Sequence, residues 1–192
     1  MNKIFYVTSN SLKIKLVQEF FEQNKPNFEI EFKNIELMEP QTLCEQKVIK
    51  YKAKQAFEHL KAPLIVDDEG FYIKKYPCFP GTLSKHTVKG LGVKDFFTLA
   101  DDGDEIEYYC NIAFVDKDGA VTVFRGSILG TCRKPEDLEK PYKNCLLTHA
   151  FIPTGYTKVL ENLRSHNATN TLFPRNQALK NFLNRYIINL KN

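Results

Sequence analysis

Ile4-Phe5-Tyr6-Val7-Thr8-Ser9-Asn10-Ser11-Leu12-Lys13 packs a strand, a turn and the start of a helix into ten residues. Ile4 to Val7 is a short apolar, β-rich run that reads as a buried strand. Thr8, Ser9, Asn10 and Ser11 break it with side chains that hydrogen-bond nearby backbone and cap helices. Leu12, Leu16, Val17, Phe20 and Phe21 then recur at helical spacing as far as Asn24-Lys25-Pro26. The same grammar returns downstream. Thr42-x-x-Glu45 is a capping-box pattern opening a helix through Val48, Ile49, Ala53, Ala56, Phe57 and Leu60. A second buried strand, Leu64-Ile65-Val66, ends in Asp67-Asp68-Glu69-Gly70. Strands alternating with helices in this way predict an α/β fold, a mixed sheet with helices on its faces.

The remaining segments fit that frame. Phe28, Ile30 and Phe32 alternate with charged residues, the period of a half-exposed strand. Pro77, Pro80 and Gly81 mark a loop, and Val93 to Leu99 read as a short helix. Ile106–Val115 and Val121–Ile128 are strands of a hairpin turning at Asp116-Lys117-Asp118-Gly119. Pro135, Pro141 and Pro153 punctuate a stretch predicted to be irregular. Leu179, Phe182, Leu183, Tyr186, Ile187 and Leu190 give an amphipathic C-terminal helix. No repeat or low-complexity segment interrupts the 192 residues, so 1–192 is expected to be one domain.

Composition narrows the function classes. The net charge of +4 suits an anionic small molecule and falls short of a dedicated nucleic-acid surface, so no nucleic acid is expected. The five cysteines are widely spaced and lack a C-x-x-C pair, which predicts reduced, mostly buried thiols. The apolar start is too short for a signal peptide and no segment reaches membrane-span length. A cytoplasmic chain with no membrane partner is expected.

Two features could carry chemistry. Thr8 to Lys13 sets short polar side chains and a lysine at a helix N-terminus, where unpaired N–H groups attract phosphate. A plain capped helix with a solvated lysine fits these residues too. Asp67 and Asp68 at a strand end suit a magnesium ion that takes one or two carboxylates plus phosphate oxygens, or an acid-rich turn before Gly70. Glu39, Lys52 and Lys85 are further candidates, each alone readable as a surface charge. The four histidines have no ligand spacing and no triad partner.

Taken in order, these pieces resemble the inosine triphosphate pyrophosphatase family, which hydrolyses non-canonical purine nucleoside triphosphates. Val7-Thr8-Ser9-Asn10-x-x-Lys13 is similar to that family's opening motif, and Ile35-Glu36-Leu37-x-Glu39-x-Gln41 to the segment holding a metal-binding glutamate. Lys52-Ala53 resembles the lysine of the following helix, and Leu64-Ile65-Val66-Asp67-Asp68-x-Gly70 the signature strand. Phe79-Pro80-Gly81-x-x-Ser84-Lys85, Phe124-Arg125-Gly126, Phe151-Ile152-Pro153-x-Gly155-Tyr156 and Arg175-x-x-Ala178-Leu179 continue in family order. The resemblance implies an elongated two-lobed α/β fold with a cleft and a homodimer. It also implies Mg2+-dependent hydrolysis of a nucleoside triphosphate to monophosphate and pyrophosphate. Asp68 is then catalytic base and metal ligand with Glu39, while Thr8, Ser9, Asn10, Lys13, Lys52, Lys85 and Arg175 bind substrate.

The departures from the family pattern are local. Glu69 stands where a Ser or Thr is usual. Cys145-Leu146-Leu147-Thr148-His149 replaces the turn whose aromatic and Asp read the base, and Phe173-Pro174-Arg175 keeps only the arginine of a later S-H-R. The expectation is an active pyrophosphatase with altered or relaxed base specificity. The alternative is an inactive member that binds a nucleotide or a protein partner.

Overall fold

The computed structural model describes residues 2–137, 146–163 and 172–189. A mixed sheet of seven strands runs in the order β2-β1-β3-β5-β6-β7, with a short β4 paired to β3 outside that path. The strands are β1 (Asn2–Val7), β2 (Phe28–Lys33), β3 (Leu64–Ile73), β4 (Pro80–Gly81), β5 (Glu105–Val115), β6 (Val121–Cys132) and β7 (Phe151–Pro153). The helices are α1 (Ser11–Asn24), α2 (Glu45–Leu60), α3 (Ser84–Phe96), α4 (Leu146–Ala150), α5 (Leu160–Leu163) and α6 (Pro174–Asn189). β1 pairs parallel to β2 and β3, while β4, β5, β6 and β7 join antiparallel. The expected α/β class with helices on a mixed sheet is what forms.

Side-chain alternation along β3 distributes the core. Leu64 and Val66 face α2 and pack with Ile49, Ala53 and Ala56. Ile65 faces the other way, into a cluster with Val17, Phe20 and Phe21 of α1 and Leu179 and Phe182 of α6. Farther along the same strand, Phe71 and Ile73 join a third cluster with Phe96, Leu147, Phe151 and Leu160. The three clusters form two apolar bodies along one strand, that of Leu64 to Val66 on both faces of the sheet and that of Phe71 and Ile73, and the residues between them, Asp67 to Gly70, are polar or bare.

Several elements differ from expectation for identifiable reasons. β3 does not end at Val66: its pairing with β5 continues through Asp67↔Ile112 and Asp68↔Asn111 to Ile73↔Ile106. The capping box does not form, since Cys44 is the N-cap of α2 without a side-chain cap, and Glu45 instead accepts from Asn111 and Arg125. α3 consists of two helical pieces divided at Gly92, whose φ of 74° breaks the helical ladder: the short helix expected from Val93 follows it and ends at Phe96, and a further piece beginning at Ser84 precedes it. Within the stretch expected to be irregular lie α4 and β7. The C-terminal helix starts earlier, at Pro174, where a missing N–H costs nothing. Of the cysteines, Cys44 and Cys78 are exposed and Cys110 and Cys132 buried, all four without a disulfide. Cys145, Pro141 and Leu190 lie outside the described residues. Among those described, no helix is long and apolar enough to cross a membrane.

Candidate active site

The sheet has a gap in its hydrogen-bonding at the point where the acids sit. β1 pairs with β3 only as far as Val7↔Val66, and β4 resumes on that edge at Phe71↔Gly81. Between them, Asp67 to Gly70 are held by β5 on one edge alone. The strand-end rule for ligand sites thus applies to β1, and its consequences fall on the middle of β3. Gly70 is required there, because a Cβ would collide with the Gly81 carbonyl oxygen and the Tyr109 hydroxyl.

A cavity of roughly 780 Å³ opens along this edge. Thr8, Ser9, Asn10 and Lys13 line it from the start of α1, Glu39 and Lys52 from the α2 side, and Ser84, Lys85, His86 and Lys89 from α3. Asn10 caps α1: its side chain accepts from the backbone N–H groups of Leu12 at 3.0 Å and Lys13 at 3.3 Å.

Alternation puts neighbouring acids on opposite faces of β3. On the α2 face, Lys52 Nζ donates to Glu39 Oε1 at 2.8 Å, to the Asp67 carbonyl oxygen at 3.1 Å and to Asp68 Oδ1 at 3.1 Å. Those three bonds use every proton of the ammonium. On the opposite face, Asp67 Oδ2 meets Lys13 Nζ at 2.9 Å and Arg175 Nε at 3.0 Å. Glu69 Oε2 accepts from Arg175 Nη2 at 2.7 Å and from the Tyr108 hydroxyl at 2.9 Å. Lys13 also reaches Glu69 Oε1 at 3.8 Å. The Arg175 guanidinium therefore bridges the two acids, its Nε on Asp67 and its Nη2 on Glu69, and Glu69 is turned onto Arg175 and Tyr108.

Proton affinities separate in step with these contacts. Burial pushes the Asp68 carboxyl up, and Lys52 does not fully offset it, so it lies above its usual value. Burial acts on Asp67 too, but the charges of Lys13 and Arg175 outweigh it and hold it well below the usual carboxylate range. Glu69 is lowered in the same manner, burial being overcome by Arg175 and Lys13. Glu39 is also lowered, because Lys52 outweighs its burial. Environments that drive adjacent carboxylates apart are how one site holds both an acid-base group and fixed charges.

Thr8, Ser9, Asn10, Lys13, Glu39, Lys52, Asp68 and Lys85 all line this cavity. Arg175 is the exception: 7% exposed, it stands behind Asp67 and Glu69 and is absent from the cavity wall. Among the described residues, no group of three or more His, Cys, Asp and Glu is placed to hold a metal ion. Glu39 and Asp68 do converge on a single cation, the Lys52 ammonium, and two carboxylates suit a magnesium ion that brings phosphate oxygens and water. The cavity is also lined by Phe71, Val88, Tyr108 and Leu147. Thr148, adjacent, is buried and donates to Glu161 Oε2 at 2.7 Å. Sequence reading missed His86, Lys89 and Tyr108. Reading 64–73 as one strand is the signal that would have split Asp67 and Glu69 from Asp68.

Comparison with known proteins bears on this cavity. Residues 4–185 match the model of the Ham1 family. The inosine triphosphate pyrophosphatase of Encephalitozoon intestinalis is 30% identical over 176 residues, covering 84% of this chain and 81% of that protein. A dITP/XTP pyrophosphatase of Hyperthermus butylicus is 26% identical over 165 residues, covering 84% and 83%. A HAM1 protein structure from Coxiella burnetii superposes with a TM-score of 0.72 at 18% identity over 97% of this chain and 99% of that one. The Staphylococcus aureus Ham1 protein gives 0.69 at 16% identity over 100% of both. At these identities the two structures speak for the fold.

Proposed function

We propose that this chain, which belongs to the Ham1 family, is a Mg2+-dependent nucleoside triphosphate pyrophosphatase releasing a monophosphate and pyrophosphate, with relaxed base preference. The observation that carries the reading is the meeting of the α1 N-terminus, Lys13, Glu39, Lys52 and Asp68 on one cavity wall. Relatives named dITP/XTP pyrophosphatase support it.

In this reading Thr8, Ser9, Asn10 and the amides of the first turn of α1 receive phosphate oxygens, where the helix dipole favours negative charge. Lys13, Lys52 and Lys85 add positive charge. Asp68 takes a proton from water as its oxygen attacks the α-phosphorus, and the bond to the bridging oxygen breaks to release pyrophosphate. Its raised proton affinity suits a general base better than that of Asp67, which is locked by two cations. Glu39 and Asp68 would hold a magnesium ion, whose charge would offset that of the phosphate oxygens. Arg175, placed behind the cavity wall, would act on substrate through Asp67 and Glu69, which it holds on that side of β3.

Phe71, Val88 and Leu147 of the cavity wall offer a base mainly apolar contact. An apolar pocket discriminates between bases that differ by polar groups by only about a hundredfold. Cytoplasmic action as a homodimer completes the proposal. Pyrophosphate release with Mg2+ is measured over ITP, XTP, dITP and the canonical triphosphates. Turnover of several bases supports the reading, and absence of turnover of any of them rejects it. Lys13 and Lys52 are already paired with protein carboxylates, which favours the second reading, a binding protein. Calorimetric nucleotide binding without hydrolysis would select it.

A further inference from the structure

Residues 34–44, between β2 and α2, form neither helix nor strand, yet they carry Glu39 to within 2.8 Å of Lys52. Among the described residues, no backbone–backbone hydrogen bond engages Glu36, Leu37, Met38 or Glu39. Ile35 and Leu37 anchor the segment by packing on the α2-side core. Met38 cannot do so, its side chain being 68% exposed. Its peptide groups are held instead by one side chain. Gln55 Nε2 donates to the Met38 carbonyl oxygen at 2.7 Å, and Gln55 Oε1 accepts from the Met38 N–H at 3.1 Å. A single amide thus meets both backbone groups of one residue, as a neighbouring strand would.

The location of that amide matters. Gln55 follows Lys52 by three residues on α2, so the two lie on one face of the helix. Lys52 grips the Glu39 carboxylate, and Gln55 grips the peptide immediately before it. Backbone and side chain of the Glu39 region are therefore indexed to the same rigid helix, and through Lys52 to Asp68.

We propose that Gln55 is a positioning residue, whose side-chain amide fixes the Met38 peptide and so aims the Glu39 carboxylate at the cation site it shares with Asp68. This rests on the role given to Glu39 above. Both hydrogen bonds are solvent-exposed, so they add little to folding, while a carboxylate a fraction of an ångström out of place serves a cation poorly.

The test compares wild type, Gln55→Met, which keeps length and loses both hydrogen bonds, and Glu39→Gln. Four quantities are read: the Mg2+ concentration for half-maximal pyrophosphate release, Mn2+ binding to the nucleotide-free protein by electron paramagnetic resonance, hydrogen exchange at the Met38 amide, and the urea midpoint. For Gln55→Met, the Mg2+ requirement and the Mn2+ dissociation constant should rise roughly tenfold, as for loss of a group that orients a metal ligand. Met38 exchange should quicken, the urea midpoint should hold, and KM for nucleotide at saturating Mg2+ should stay put. Unchanged Mn2+ binding in Gln55→Met, alongside weakened binding in Glu39→Gln, overturns the positioning role alone. A lowered urea midpoint with proportionate loss of everything else also overturns it, as a purely structural part. Unchanged Mn2+ binding in Glu39→Gln overturns the role of Glu39, and the proposal with it.

Discussion

The two faces of β3 handle neighbouring carboxylates in opposite ways. Toward α2, Asp68 is buried with one lysine that it shares with Glu39 and with the Asp67 carbonyl, and its proton affinity rises. On the reverse face, Asp67 and Glu69 divide two cations and a tyrosine hydroxyl, and both fall below their usual values. One face is left under-compensated, the state a reactive group needs. The other is closed by compensation, the state a structural group needs. Residues one position apart thus differ in partners and in proton affinity because a strand has a period of two.

The sharpest way to break this contrast is Asp68→Asn. On the proposed reading, kcat for pyrophosphate release should fall by about a thousandfold. Urea stability should change by no more than about 1 kcal/mol, since folding already disfavours the ionised form. Near-wild-type turnover would remove Asp68 from the chemistry.

Arg175→Met attacks the other face. It leaves Asp67 and Glu69 with Lys13 as their one remaining cation and the Tyr108 hydroxyl on Glu69, and loss of one partner from a buried pair costs about 3–5 kcal/mol, read from urea unfolding. A cost below about 1 kcal/mol would mean the network is not what closes that face.

A pH series on the wild type follows. Asp67 and Glu69 bind fewer protons folded than unfolded, so the stability they add is complete above the ordinary carboxylate range near pH ~4. It is lost as pH falls through that range toward their lowered folded values. The urea midpoint should drop between pH 6 and pH 3, and drop less steeply in Arg175→Met. Parallel slopes would contradict the assignment.

The smallest effect is expected for Lys85→Ala. Lys85 is exposed on the cavity rim and its charge helps lower Glu39. KM for nucleotide should rise by about fivefold or less, with kcat nearly unchanged, because a solvated charge contributes about 1 kcal/mol at most.

Much of the frame could be read from local pattern. The strand-turn-helix at Ile4 to Lys13 and the hairpin at Ile106 to Ile128 are short-range features whose periodicity survives folding. The site was legible as a set of residues but not as a geometry. Arg175 lies 108 positions from Asp67, and nothing in its sequence neighbourhood announces that it pairs with Asp67 and Glu69 of β3. Local pattern marks only Leu64 to Val66 as strand, because Asp67, Asp68 and Glu69 carry charges that a central strand holds only when they are compensated. Here Lys13, Lys52 and Arg175, all from other elements, compensate them. The Thr42–Glu45 capping box failed for a related reason, a stronger partner in Arg125 far along the chain.

The unbroken length of β3 has a thermal consequence. Its ten-residue ladder with β5, from Leu64↔Val115 to Ile73↔Ile106, passes from one apolar body into the other without a hinge. Melting either body would tear hydrogen bonds that hold the second, so neither half can come apart on its own. A scanning calorimeter should record one endotherm with equal van't Hoff and calorimetric enthalpies, although the strand joins two apolar bodies.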